Sequence, residues 1–220
     1  MRITYEQIRQ SKEINTYIAQ ADASLLALGF TEHSFAHVAR CAEMASGLLR
    51  DLGYSDREVE LAKIAGYMHD IGNVVNRHDH AISGATMAFR ILDNMGMEPA
   101  DVAAVITAIG HHDDKTAFPV NAVAAALILA DKTDVRRSRV RNRDTIRFDI
   151  HDRVNWAVER SDLDLDKEQK TLTLRIQLDT TVCPVMDYFE IFLERMLLCR
   201  RAAEFLELTF KLDINGLSLL

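Results

Sequence analysis

Seven of the eight histidines lie between His33 and His112, and only His151 falls in the second half of the 220-residue chain. Along the chain the groups able to do chemistry come in order: His37, the adjacent pair His69-Asp70, His80, the pair His111-His112, and then Asp131. Imidazole and carboxylate donors of this kind hold divalent iron, manganese, cobalt, nickel or zinc, with availability choosing among them. The adjacent His-Asp pair is the most specific feature. A carboxylate has two oxygens, so Asp70 can bridge two cations while His69 ligates one. His80 with His111 or His112 would then complete a two-metal site of the sort that clamps phosphoryl transfer. Helical spacing from Val105 and Ile109 favours His112, whereas a helix end at Gly110 would release both histidines, so both stay candidates.

For such groups to meet, packed helices must present them at or near their ends. The spacing of Ile8, Ile14, Ile18, Leu25 and Leu28 predicts one or two helices over 5–28, ended by Gly29. A second amphipathic stretch starts at His37 and carries Val38, Cys41, Ala42, Ala45, Leu48, Leu49 and Leu52 up to Gly53. Ser55 with Glu58 forms a capping-box pattern ahead of a third helix running into His69. After a loop over 71–77, a helix is expected over 79–94 with Ala81, Ile82, Ala85, Phe89 and Leu92 inward. Pro99 suits the first turn of the next helix, which leads to His111 and His112. The nearly all-apolar run from Asn121 to Lys132 predicts a central helix buried on most sides, ending at Asp131.

Around Arg136 the pattern changes, first to the run Arg136, Arg137, Arg139, Arg141, Arg143 and then to alternation, with Leu172, Leu174, Ile176 and Leu178 on one face of a strand. A strand near 154–159, a helix over 184–205 and a last strand near 206–214 would complete a β-β-α-β tail. The expected architecture is mainly α: a helical domain over 1–147 and a small α+β appendage over 148–220, for dimerisation or regulation. The tail helix carries Val185, Met186, Phe189, Phe192, Leu193, Met196, Leu197 and Leu198, more apolar surface than a small sheet needs. A homodimer is therefore expected.

The motifs resemble the HD-domain metal-dependent phosphohydrolases. The matching strings are H-S-F-A-H-V-A-R-C-A at 33–42, Y-M-H-D-I-G at 67–72, H-A-I-S-G-A at 80–85, A-I-G-H-H-D at 108–113 and A-D-K-T-D at 130–134, in the expected order over roughly residues 30–140. The resemblance implies a helical fold with His37, His69, Asp70 and Asp131 on one metal and the further histidines on a second metal sharing Asp70. It also implies hydrolysis of phosphomonoesters, nucleotides, dinucleoside polyphosphates or cyclic dinucleotides. Two departures bear on the substrate. Asn73 follows Gly72 where lysine is often found, removing one phosphate contact. The sequel to the His-His-Asp string, D-K-T-A-F-P at 114–119, lacks the Gly-Tyr-Pro signature of the branch that hydrolyses cyclic di-GMP. The residues after about 145 lie outside the resemblance.

The reaction expected is hydrolysis of a small phosphorylated, nucleotide-like substrate by water activated at the metals, with Asp70 and Lys132 as catalytic residues and no nucleophilic side chain. The chain has no Gly-x-Ser-x-Gly elbow and no Walker loop. One or two of the arginines could hold a substrate phosphate, and otherwise form a solvated or ion-paired face. Asp134 would support the site from behind. His33, one turn before His37, is read as a hydrogen-bonding neighbour, a substrate contact or a ligand, and His151 as a surface residue. The rival readings are a non-catalytic, ligand-sensing regulatory protein, a cyclic-dinucleotide phosphodiesterase, and a di-iron oxygenase.

Composition bounds all of these. An apolar share of 48% with nine Gly and three Pro excludes disordered and collagenous chains, and a net charge of −7 argues against broad nucleic-acid or anionic-membrane binding. Cys41, Cys183 and Cys199 are odd in number and lack close metal-ligand spacing, and the charged N-terminus has no apolar leader. Reduced thiols in a cytoplasmic protein are expected.

Overall fold

The computed structural model describes residues 2–113, 117–141, 144, 146 and 148–219, and divides into two compact units, Met1–Asp131 and Lys132–Leu220. The expected boundary at 147/148 falls inside the second unit.

The first unit is helical. Helices α1 (Tyr5–Gln10) and α2 (Lys12–Ala27) are separated at Ser11, which caps α2 by accepting from Ile14 N. Ile14, Ile18, Ala21 and Leu25 form the buried stripe of α2, and each Ile or Leu so placed contributes about 1.5–3 kcal/mol. Helix α3 (Phe35–Asp51) starts at the Ser34 cap and α4 (Asp56–Met68) at the Ser55/Glu58 capping box that the spacing anticipates. A Cβ on Gly66 would lie 2.7 Å from Ala42 Cα, so glycine there lets the α3 and α4 backbones touch. The segment expected as a loop begins with a short 3₁₀ helix, Ile71–Val74. Then come α5 (His80–Asn94), α6 (Pro99–Gly110) and α7 (Ala122–Lys132), whose last residue opens the second unit. Asn121 Oδ1 accepts from Ala124 N at the start of α7, and residues Val123 to Ala130 are all buried.

One face assignment differs from expectation. On α5 the buried apolar residues are Ala81, Ala88, Ile91 and Leu92, while Ile82 and Phe89 are about half exposed, at 55% and 50%. The buried stripe begins at His80 and passes through Gly84, so the polar ligand candidate and the small residues set the helix's rotation rather than the largest side chains.

The second unit holds α8 (Ile150–Ala157), β1 (Val158–Asp166), β2 (Thr171–Leu178), α9 (Val185–Phe205), β3 (Thr209–Ile214) and β4 (Leu217–Ser218). The sheet order is β1-β2-β3-β4, with β2 and β3 parallel across the α9 crossover and the other pairs antiparallel. Leu172, Leu174, Ile176 and Leu178 form one buried face of β2 as expected, and α9 packs on β3. The strand expected near 154–159 is instead the end of α8, and β1 begins at Val158. Asp149 accepts from His151 N and Asp152 N, a helix cap that overrides the β-leaning valine and tryptophan. The last strand starts at Thr209 rather than Leu206, because Leu206 N still bonds to Ala202 and Ala203 and Glu207 takes a left-handed φ of 59°. A short fourth strand follows Asn215-Gly216, both at positive φ, the dipeptide of a tight hairpin turn. Among the described residues no helix is long and apolar enough to cross a membrane.

Candidate metal centre

Each donor stands at a helix end in the first unit. His37 is in the first turn of α3, His69 caps the carboxyl end of α4, Asp70 leads into the 3₁₀ turn, His80 opens α5, His112 follows α6 and Asp131 is in the last turn of α7. The turn after His69-Asp70 is held close to α5 by glycine: a Cβ on Gly72 would meet His80 O at 2.0 Å and Gly84 N at 2.4 Å. That contact brings the His-Asp pair and His80 within reach of each other.

The distances divide around Asp70. Its Oδ2 is 3.3 Å from His69 Nε2 and 3.6 Å from His37 Nε2, while its Oδ1 is 3.5 Å from His80 Nε2. Asp131 Oδ1 lies 3.3 Å from His37 Nε2 and 3.8 Å from His69 Nε2. Donors about 2.0–2.2 Å from one metal are roughly 3–3.6 Å apart, so these separations are of ligand-set size. Among the described residues three donor clusters form: His37, Cys41, His69 and Asp131; His69, Asp70 and His112; and His80, His112 and Asp113.

Three of the imidazoles are oriented from behind. The Nδ1 atoms of His69, His80 and His112 face the backbone carbonyls of Gly66, Arg77 and Ile109 at 2.8, 3.1 and 2.6 Å. A proton on Nδ1 donated to each carbonyl leaves Nε2 as a lone pair directed inward, the arrangement a metal-binding histidine needs. Asp70 is fixed likewise: Asn73 Nδ2 donates to its Oδ1 at 2.8 Å and to its backbone oxygen at 3.0 Å.

Buried atoms test whether the residues suit a cation. His69 Nε2 and Asp70 Oδ2 are sealed from water, and neither makes a well-directed hydrogen bond. Such an unsatisfied buried group costs about 1–3 kcal/mol, and a cation between them would satisfy both. Electrostatics point the same way. Burial pulls the His69 pKa down, but the carboxylates of Asp70 and then Asp131 outweigh it and raise it to about 9. Burial pushes Asp70 up, and the imidazoles of His69, His33 and His80 outweigh it and hold the carboxyl well below its usual range. The centre is thus a negative, desolvated pocket that favours positive charge, and its donors fit a divalent metal.

The other sequence candidates fall as follows. His111 is half-buried at the end of α6 and belongs to none of the donor clusters, whereas His112 is buried and belongs to two. His33 precedes α3, contacts the His37 ring edge-on at 5.5 Å and has Nδ1 2.7 Å from Thr31 O. His78 is exposed beside Asp79, and His151 is exposed beside Asp149. Lys132 follows Asp131 in the chain and is buried. Three arginines of the run bond within the second unit: Asp134 accepts from Arg136 at 2.9 Å, Arg139 donates to Asp134 O at 2.9 Å, and Arg137 donates to Trp156 O and covers that ring. Arg143 and residues 114–116 lie outside the described residues.

Four residues enter that the motif reading did not single out as site candidates. Cys41, one turn after His37, has Sγ 3.7 Å from its ring, and the i,i+4 spacing was a usable signal. Asp113 Oδ2 is 3.4 Å from His80 Nε2, and its place beside His112 echoes that of Asp70 beside His69. Asn73 appears in the sequence as a lost phosphate contact but acts as the brace of Asp70. Arg77 gave no sequence signal, because its role depends on the turn between the 3₁₀ helix and α5.

Residues 34–145 match the family described as the HD domain, whose members are generally metal-dependent hydrolases. The chain is also 24% identical over 185 residues to an uncharacterized protein of Methanocaldococcus jannaschii, covering 74% of this chain and 71% of that protein.

Proposed function

The chain belongs to the HD-domain family, and from that premise we propose that it is a phosphohydrolase acting on a small phosphorylated, nucleotide-like metabolite. The observation that carries the reading is the division of Asp70, one oxygen toward His37 and His69 and the other toward His80. A carboxylate so shared is suited to two divalent cations, one with His37, His69 and Asp131, the other with His80, His112 and Asp113. When bound, the cations supply Lewis acidity toward a phosphoryl oxygen and activation of a water.

The chain's own residues do the rest. Gly66, Arg77 and Ile109 carbonyls hold the three Nδ1 atoms and so aim each Nε2 inward, where His80 and His112 would offer a lone pair and His69 would give up its inward proton to a bound ion. Asn73, donating to Asp70 Oδ1, fixes the carboxylate between the two donor sets. We assign Asp70 as the central catalytic ligand and Lys132 as the counter-charge for a phosphate. Reconstitution with manganese, cobalt, iron, nickel or zinc, followed by a screen of mono-, di- and cyclic nucleotides and sugar phosphates, tests the reading. Turnover of a phosphoester that is lost in Asp70→Ala is the expected result. No turnover with any metal or substrate class would favour a ligand-sensing role, and a mixed-valent iron pair would favour oxygenation.

We also propose a homodimer through α9. Its outer stripe exposes Met186 and Leu193, at 73% and 49%. Sedimentation at micromolar concentration tests this, and a monomer would assign the stripe to other packing.

A further inference from the structure

Arg77 brings a permanent positive charge from the chain itself to the His80 side of the centre. Its Nη1 lies 3.3 Å from His80 Nε2 and 3.3 Å from Asn73 Oδ1, and its Nη2 lies 3.4 Å from Asp113 Oδ2. His80 Nε2 and Asp113 Oδ2 are themselves 3.4 Å apart and, with His112, make one of the three donor clusters. Because His80 Nδ1 faces the Arg77 carbonyl, the Nε2 lone pair is the atom the guanidinium addresses. A guanidinium is always charged and can only donate. A lone pair accepting a proton from it cannot also coordinate a metal, and two like charges a few ångströms apart repel strongly where water is scarce.

We infer that Arg77 and a second divalent cation are rival occupants of the His80 and Asp113 donors, so that Arg77 sets how tightly the second ion is held. The inference rests on the reading of Asp70 as a bridge between two loci. Charge balance agrees with it. On the Oδ2 side a dication is matched by Asp70 and Asp131. On the Oδ1 side, among the described residues of the donor cluster, the further negative charge is that of Asp113, which Arg77 already pairs with at 3.4 Å, so a dication there would share that charge with Arg77 while Arg77 stays. The guanidinium is also placed to yield: its side chain is 27% exposed, and the flanking Val75, Asn76 and His78 are exposed. Movement away from the donors breaks three long hydrogen bonds and a 5.9 Å contact with the ring of Phe30, itself an exposed side chain.

The test is a calorimetric titration of the metal-free full chain with Mn²⁺, with electron paramagnetic resonance to detect coupled ions. Wild type should take one ion tightly and a second at least about ten-fold more weakly. Arg77→Met should tighten the second ion about ten-fold or more and leave the first within about two-fold, while Arg77→Lys, which keeps the charge, should stay near wild type. Arg77→Gln serves as a second neutral variant, with circular dichroism to confirm folding. Equal second-ion affinity in wild type and in both neutral variants, or a weaker one in the variants, overturns the inference and leaves the two-ion reading standing. A single ion in every chain at millimolar Mn²⁺ overturns both.

Discussion

On the Oδ2 side of Asp70, His37 and His69 are fully buried and Asp131 nearly so, with side-chain exposures of 0%, 0% and 13%. On the Oδ1 side, His80 is buried but Asp113 and Arg77 are about a quarter exposed, at 25% and 27%. The sealed side leaves buried donor atoms without a hydrogen bond, and the open side has a guanidinium among its donors. The difference is one of solvent. Where water is excluded, donors converging without a counter-charge cost stability and so select strongly for a bound ion. Where water has access, a mobile side chain can share the donors at little cost.

The largest effect should come from the residue common to both sides. Asp70→Ala is expected to abolish metal binding and hydrolysis while keeping the helical fold, and near-full turnover in the purified variant would remove the metal reading. Next come the changes that separate the sides. His80→Ala, like the double change at His111 and His112, should lower the ion count from about two per chain to about one, whereas His37→Ala should remove the tight ion. Elemental analysis of dialysed protein measures this, and unchanged stoichiometry in His80→Ala would leave a mononuclear site. Gly72→Ala should act on both sides by forcing the Asp70 turn off α5, since the added Cβ would meet backbone atoms at 2.0 and 2.4 Å. A stability loss of about 3 kcal/mol or more is expected by chemical denaturation. A loss under about 1 kcal/mol would mean the turn relaxes freely.

The smallest expected effect is in pH dependence and belongs to the sealed side. The folded His69 pKa of about 9 exceeds the ordinary imidazole value of 6.5, so the stabilisation from its proton is fully present below about 6.5 and is lost as pH rises through 9. Metal-free protein should therefore show a falling melting temperature between those values. Metal-loaded protein should not, because the ion replaces the proton. Parallel curves for the two forms would show that the ion does not displace the His69 proton.

The helices of the first unit were legible because each has local punctuation: the capping box at Ser55 and Glu58, Pro99 at a first turn, and the apolar run over Ala122–Lys132. The second unit was less so. The β2 alternation was plain, but α8 competes with β-leaning residues and is decided by the Asp149 cap, and the Asn215-Gly216 hairpin is too short to show as alternation. The same holds at the centre. Ligand candidates carried by motif strings could be named from order alone, but the rotation of α5, which exposes Ile82 and Phe89 and buries His80, could not, since periodicity treats His80 as a polar residue.

What the sequence determined by itself is the inventory and its order: histidines and aspartates at helix ends, a glycine after the His-Asp pair, and an alternating strand in the tail. These are local properties, set by backbone propensity and the chemistry of single side chains. What only the tertiary structure decided is which oxygen of Asp70 faces which imidazole, that His112 rather than His111 turns inward, and that Asn73, Arg77 and Asp113 close the open side. Those relations join residues up to tens of positions apart through helix packing, and no spacing rule carries them. They follow from the close approach of α4, the 3₁₀ turn and α5 that Gly72 and Gly84 permit, where absent side chains let backbones meet.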